Sequence, residues 1–253
     1  MKSSYTYRYP RPSLTADTVV FAYDQKDGIL KVLLVERGNE PFRGKMALPG
    51  GFLEIKTKVD ADGLVTEEKN ETLEQCARRE LKEETGLEVN FMKELGTFST
   101  PGRDPRGCTI SSVFYAISQP VNVRGGDDAA DVHWFPVREI LKAIESMPNG
   151  FSFLAFDHDE IIKRAFHQLR VDICFEPVGL LLLGETFTMT QIQNIYQDIL
   201  GREFDRRNFA RKVLIADVLD RLPHTGRNIR YKLNLEKFMA LQESDHRLRL
   251  LFA

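Results

Sequence analysis

The chain has 253 residues, 42% of them apolar, which is enough for one large domain or two ordinary ones with real cores. Its net charge of −2 excludes a protein basic over its whole length. That figure hides nine Lys or Arg against four Asp or Glu between Gly201 and Lys232, a local +5 that leaves the remainder near −7. Cys76, Cys108 and Cys174 are odd in number and lack metal-ligand spacing, "MKSSYTYRYPRPS" has no apolar core like that of a signal peptide, and no run reaches the roughly 20 apolar residues of a membrane span; a cytoplasmic protein without a membrane partner is expected.

Strand-like runs come first. "ADTVVFAY" (Ala16 to Tyr23) and "LKVLLVER" (Leu30 to Arg37) flank the turn signal "DQKDG". "KMALPGGF" follows, then a polar stretch from Ile55 to Asn70. A helix is predicted over Thr72 to Thr85, with Gly86 as its C-terminal stop. Further strands are expected near Leu87 to Thr100, Thr109 to Ile117 and Val132 to Phe135, and then a short helix, "VREILKAIES". Interleaved strands and helices argue for an α/β domain. "DHDEIIKRAFHQLR" reads as an amphipathic helix bridging to a second, mostly helical part. There "TMTQ" (Thr188 to Gln191) has capping-box spacing for a helix ending at Gly201, and Asp205 is placed to cap the next, "DRRNFARKVLIADVL". "RLPHTGRNIRYKLN" has the pattern of a hairpin, and two short helices before a hairpin give the order of a winged helix-turn-helix. The stripe Ile195, Tyr196, Ile199 and the pair Phe209, Val213 are expected to face the core.

The stretch "CARRELKEETGL" carries the chemistry. At about 100° per residue, Leu73, Cys76, Ala77, Glu80, Glu83, Glu84 and Leu87 share one face, so three carboxylates continue an apolar stripe. A solvated acidic face would place them opposite that stripe. Inward carboxylates need pairing or a metal, and hard oxygen donors suit Mg²⁺ or Mn²⁺. Arg79 can pair with Glu83 at i, i+4, which leaves the others.

Glu71, Arg79-Glu80-Leu81, Glu83-Glu84 and Gly86-Leu87 resemble the signature of the Nudix hydrolases. The resemblance implies an α/β/α sandwich with a mixed sheet and hydrolysis of a nucleoside diphosphate linked to another group. It implies that Glu80, Glu83 and Glu84 bind the divalent metal, that Gly51 offers its backbone carbonyl, and that Glu71 and Arg79 support the helix, with Glu83 and Glu84 also catalytic. One departure stands out: nineteen residues, Phe52 to Asn70, separate Gly51 from Glu71, where the family has five. A hairpin about Asp62-Gly63 would let this insertion protrude and leave the site intact.

"PRPSLTADTVVFAY", "FRGKMALPGGFLE", "TFSTPGRDPRG" and "GGDDAADVHWFPV" resemble the ADP-ribose pyrophosphatase branch. Arg103 and Arg106 are candidate phosphate contacts, since guanidinium matches phosphate oxygens; both can equally be solvated loop residues. Asp127 and Asp128 can position a catalytic water or merely cap a turn. The C-terminal part, "EPVGLLLLGETFTMTQIQNIYQDILGREFDRRNFARKVL", resembles the winged-helix domain of the Nudix-related transcriptional regulators, in which a Nudix domain senses ADP-ribose or a related metabolite and a dimer binds operators. Arg206, Arg207, Arg211 and Lys212 on the second helix, with Arg227 and Arg230 on the hairpin, are then the expected DNA contacts. The organisation expected is a Nudix domain over 1–155, a linker helix over 156–170 and a winged-helix domain over 171–253. Two functions follow: a Mg²⁺-dependent hydrolase with an accessory winged helix, or a homodimeric regulator whose Nudix domain mainly senses its nucleotide.

Overall fold

In a computed structural model the structure describes residues 8–59, 65–119, 129–146, 152–223 and 229–243. The first two strands are β1 (Ser13–Asp24) and β2 (Ile29–Arg37), joined by a turn in which the Asp24 carboxylate accepts the N–H groups of Lys26 and Asp27. They are followed by β3 (Met46–Ala47), β4 (Gly50–Phe52) and the pair β5 (Ile55–Val59) and β6 (Val65–Asn70). Helix α1 spans Leu73–Thr85; β7 (Phe91–Phe98), β8 (Thr109–Ser118) and β9 (Ala129–Pro136) complete the main sheet. Its order is β3-β2-β1-β8-β7, with β4 added to β1 and β9 added to β2. It is a mixed sheet: β1 runs parallel to β8 and antiparallel to β2 and β4.

Strand β1 is central, and its run Val19-Val20-Phe21-Ala22 is wholly buried. Continuous apolar sequence of this kind marks a strand covered on both faces. Alternation assigns the layers. Val20 and Leu33 pack with Leu81 of α1 on one side. Val19, Phe21, Val32 and Leu34 pack on the other with Ile161, Ile162 and Leu169 of α3 (His158–Phe175) and with α2 (Val137–Ser146). Helix, sheet and helix thus form the expected sandwich. Among the described residues no helix is long and apolar enough to cross a membrane.

Helix α3 corrects the expected linker. It does not stop at residue 170 but continues to Phe175, because Leu169 and Ile173 keep the buried stripe going. A 3₁₀ turn (Pro177–Leu182) follows, then β10 (Phe187–Thr188), α4 (Met189–Leu200), α5 (Arg206–Ile215), β11 (Leu219–Arg221), β12 (Arg230–Leu233) and α6 (Leu235–Glu243). Strands β10, β12 and β11 form a small sheet beside α4 and α5, the winged-helix arrangement. Both predicted caps are present: Thr188 and Gln191 bond reciprocally, and Asp205 accepts the Asn208 N–H at 2.9 Å.

The two parts share one apolar core. Ile192, Ile195, Tyr196 and Phe209 belong to the same buried cluster as Phe21, Leu34 and Ile161. Polar ties reinforce the join: the Asp198 carboxylate accepts the Leu30 N–H and the Arg138 Nε–H, each at 3.1 Å, and Gln191 donates to Gln25 at 2.9 Å. A continuous core predicts cooperative unfolding. Calorimetry of the full chain is expected to show one transition, and Ile195→Ala to lower it as a unit by about 2–5 kcal/mol. Two resolved transitions, only one of them moved by the substitution, would contradict a shared core.

Candidate active site and nucleic-acid interface

Helix α1 opens with a capping box, Thr72 accepting the Gln75 N–H and Gln75 accepting the Thr72 N–H, and closes at Gly86, whose φ of 73° suits glycine. Its buried residues are Cys76, Ala77, Leu81 and Thr85. This revises the expected inward trio. Glu84 lies near the centre of the buried stripe and Glu80 at its flank. Glu83 falls roughly 125° away at about 100° per residue, and its side chain is 54% exposed.

One guanidinium organises the acids. Arg79 donates to Glu71 at 2.7 and 3.0 Å, to Glu80 at 2.8 Å, to Glu83 at 2.9 Å and to the Phe52 carbonyl at 3.1 Å. The hydrogen bonds from Arg79 hold the Glu71 carboxyl down at about 2, and the carboxylates in turn raise the proton affinity of Arg79. Glu71 also accepts the Glu54 N–H at 2.8 Å, beside the β5–β6 pair, where Ile55 faces Asn70. The insertion therefore leaves and returns at neighbouring points and keeps Glu71 in place; its expected tip, Asp62-Gly63, lies outside the described residues.

Glu84 has a different environment. Its carboxylate accepts the Gly50 N–H at 3.1 Å and forms no ion pair among the described residues. Burial pushes its carboxyl up to about 8; burial also raises that of Glu80, against the pull of Arg79. A Cβ on Gly51 would displace the Glu80 carboxylate, and one on Gly50 would overlap the Ala16 carbonyl and Asp17.

Glu80 and Glu84 line a cavity of about 420 Å³ whose wall carries Arg37, Arg103, Arg106, Phe156 and His158. Arg103 is 4% exposed and holds Asp157, the residue before α3, in a two-point ion pair at 2.7 and 2.9 Å. Burial opposes its charge, but Asp157 and the neighbouring Asp17 hold its proton affinity above the ordinary value. Arg106 is fixed by Asp104 and lies over the rings of Phe52 and Phe156, 4.9 and 5.5 Å from their centroids. Arg37 lies 4.9 Å from the Phe156 centroid, and burial and Arg106 lower its proton affinity. His158 accepts the Leu48 N–H at Nδ1, so its proton sits on Nε2, and burial keeps the ring neutral.

Sequence reasoning had singled out Arg103 and Arg106, and both border the cavity. It had passed over Arg37, Asp17, Phe156 and His158. Asp17 left one legible signal, a lone carboxylate inside an apolar strand. Asp127 and Asp128 lie outside the described residues.

The donor set fits a divalent cation in chemistry, since Glu80, Glu84 and the Gly51 carbonyl offer hard oxygens and the buried Glu84 lacks a countercharge. Among the described residues no three His, Cys, Asp or Glu side chains already form a ligand cluster, because Arg79 draws Glu80 and Glu83 to itself. Mg²⁺ commonly takes only one or two carboxylates and completes its shell with water and substrate phosphate.

In the C-terminal part, Phe209 and Val213 turn α5 toward the core, leaving Arg206, Arg207 and Arg211 exposed and Lys212 half-buried. Arg230 is exposed on β12, its guanidinium held by the Thr186 carbonyl and hydroxyl at 2.8 and 2.6 Å. Arg227 lies outside the described residues.

Carboxylates of α1 and the guanidinium groups of Arg37, Arg103 and Arg106 line one cavity, a combination that suits a polyanion bridged by cations. The chain belongs to the Nudix family: the NUDIX domain model matches residues 13–155. A second match, to the NrtR DNA-binding winged helix domain, covers residues 179–232, so the chain is a Nudix domain carrying a winged helix. Among its relatives is the "ADPR responsive transcriptional repressor NtrR" of Acinetobacter baylyi, 28% identical over 241 residues, 94% of this chain and 86% of that protein. The "ADP-ribose pyrophosphatase" of Methanocaldococcus jannaschii is 37% identical over 155 residues, 61% of this chain and 73% of that protein. The crystal structure of Shewanella oneidensis NrtR complexed with a 27mer DNA superposes with a TM-score of 0.67 at 30% identity, covering 89% of this chain and 95% of that one.

The Glu71–Arg79 bond makes a prediction about acid stability. A carboxyl depressed in the folded protein stabilises it above its ordinary value of 4.5, and that contribution disappears as pH falls from 4.5 toward 2. Urea unfolding is expected to show the wild type losing about 2 kcal/mol more than Glu71→Gln between about pH 6 and pH 3. Equal acid slopes would mean that Arg79 does not hold Glu71.

Proposed function

We propose that this chain is a Mg²⁺- or Mn²⁺-dependent pyrophosphohydrolase acting on ADP-ribose or a related nucleoside diphosphate derivative. The observation that carries this reading is the cavity itself, with Glu80 and Glu84 on its floor and Arg37, Arg103 and Arg106 on its wall. The ADP-ribose pyrophosphatase relative supports the substrate class. In this reading Glu80, Glu84 and the Gly51 carbonyl hold the cation, with Glu83 reaching in from the solvent side. When bound, the cation neutralises diphosphate charge and lowers the pKa of water. Arg37 and Arg106 orient the phosphates by charge and fork geometry. Arg103, paired at two points with Asp157, acts by fixing the loop and the start of α3. Arg79 and Glu71 keep the carboxylates in position.

Water attacks one phosphorus, the bridging P–O bond breaks, and ADP-ribose yields AMP and ribose 5-phosphate. A helix or loop carboxylate not engaged by the cation takes the proton of the attacking water. Full-length protein with Mg²⁺ is expected to release AMP from ADP-ribose, and Glu84→Gln to reduce the rate at least about 100-fold. No AMP from the wild type, or equal rates for the two, would refute the enzymatic reading.

A second reading, a ligand-sensing DNA regulator, has its own observation. Helix α3 begins in the cavity wall at His158, beside the Arg103–Asp157 pair, and ends at Phe175, where the winged-helix part begins. It thus runs from the cavity to the winged-helix part through about 27 Å of helix. The NtrR relative and the DNA-bound NrtR structure support it, and a homodimer on a symmetric operator belongs to it. Hydrolysis and sensing are compatible, since a hydrolase can remove its own signal. Electrophoretic mobility shift assays on the chain's own upstream DNA are expected to show salt-sensitive binding that ADP-ribose changes. Arg207→Ala should weaken it about tenfold. Binding indifferent to Arg207 would remove α5 as the recognition helix.

A further inference from the structure

The Glu-rich helix is not the only source of carboxylate in the cavity. Asp17 enters from the central strand β1, and 8% of the residue is exposed. One oxygen, Oδ2, accepts the Ser111 hydroxyl and stands 3.8 Å from Arg103. The other, Oδ1, has no donor among the described residues. It is turned toward Gly50, where a Cβ would stand 2.5 Å from it. Gly50 is also the residue whose N–H binds Glu84. A single glycine therefore lies between an acid of the strand and an acid of the helix, meeting Asp17 on one side and binding Glu84 through its N–H on the other.

Thr15 is the second observation. It lies two residues before Asp17 on β1, on the same face, and lines the same cavity. It is 6% exposed, and its hydroxyl oxygen makes no hydrogen bond. A buried hydroxyl without a partner costs about 1–3 kcal/mol unless something supplies one. Two residues of β1 that line the cavity thus present an unengaged carboxylate oxygen, across Gly50 from Glu84, and an unengaged hydroxyl. Glu83, by contrast, is on the solvent side and is absent from the cavity lining.

We propose that Asp17, assisted by Thr15, is a cation-holding residue of this site, adding a strand carboxylate on the inward side, across the site from Glu83. The proposal rests on the Nudix-type metal site proposed above and adds to it a carboxylate from outside the helix. A hard divalent cation shared between Asp17 and Glu84 would occupy the space over Gly50, complete its shell with water and ligand phosphate, and give the Thr15 hydroxyl a polar neighbour.

Direct cation binding tests this without recourse to turnover. Full-length protein is titrated with Mn²⁺, and free Mn²⁺ is read by electron paramagnetic resonance, with melting temperature recorded alongside. Asp17→Asn keeps size and can still accept from Ser111, but loses the charge; it is expected to weaken Mn²⁺ binding at least about tenfold or remove one bound ion. Thr15→Val, equal in volume and lacking the hydroxyl, is expected to weaken binding about threefold. Where Asp17→Asn lowers the melting temperature sharply, Thr15→Val and Asp17→Glu decide: the first must weaken Mn²⁺ binding and the second must retain it. If Glu84→Gln abolishes Mn²⁺ binding while Asp17→Asn and Thr15→Val leave affinity and stoichiometry unchanged, the Nudix site stands and this proposal fails. If the wild type binds no Mn²⁺, both fail together.

Discussion

Carboxylates gathered at one end of a helix repel one another, and the site depends on the guanidinium that offsets this. Arg79 reaches Glu71, Glu80, Glu83 and the Phe52 carbonyl at once, which no Lys could do, because only a planar fork presents enough donors in fixed directions. The group is not neutralised, since three carboxylates share one positive charge and Glu84 stands apart. Glu80 and Glu84 border the cavity beside Gly50 and Gly51. The two glycines let the strand approach so closely that any side chain there would displace an acid. Charge and shape are therefore set by the same few contacts.

The opposite wall uses a different arrangement. Arg103 and Arg106 already have carboxylate partners, Asp157 and Asp104, whereas Arg37 is fixed through the Pro41 carbonyl and the Phe156 ring. A cation paired with a buried carboxylate is held in place at the expense of some of its attraction for a ligand. A cation held by a carbonyl and a ring keeps its full charge. Arg37 is thus the wall residue with the most charge to offer an incoming phosphate, although the turn arginines were the conspicuous ones in the sequence.

What the sequence disclosed followed from local rules. The caps at Thr188 and Asp205, the stop at Gly86 and the strands of the main sheet each depend on a few neighbouring residues, and each formed where expected. The orientation of Glu83 does not depend on neighbours alone. The apolar stripe of α1 drifts toward Leu81 and Thr85, and only the position of the sheet beneath decides which edge is covered. The length of α3 has a similar origin: its last turns are half polar, and Ile173 is buried in the cluster that also holds Tyr196 of α4. Arg37, Phe156 and His158 could not be assembled at all, since more than a hundred residues separate the first from the others and nothing local records their meeting.

The shared core constrains any account of how the two parts communicate. Ile192, Ile195 and Tyr196 are packed into the cluster that holds α3 against the sheet, and Asp198 accepts the backbone of β2. Strand β2 carries Leu30 at that contact and Arg37 at the cavity, so two separate elements, β2 and α3, run from the cavity to α4. A winged helix on a flexible tether could move without altering the cavity. Here, reorienting it requires breaking the bonds of Asp198 and exposing buried isoleucines, at about 25 cal/mol for each Å² uncovered. Packed interiors resist continuous deformation and shift between discrete arrangements. A ligand bound in the cavity that acted on DNA binding in this fold would therefore have to do so by selecting one packing of α3 and α4 over another.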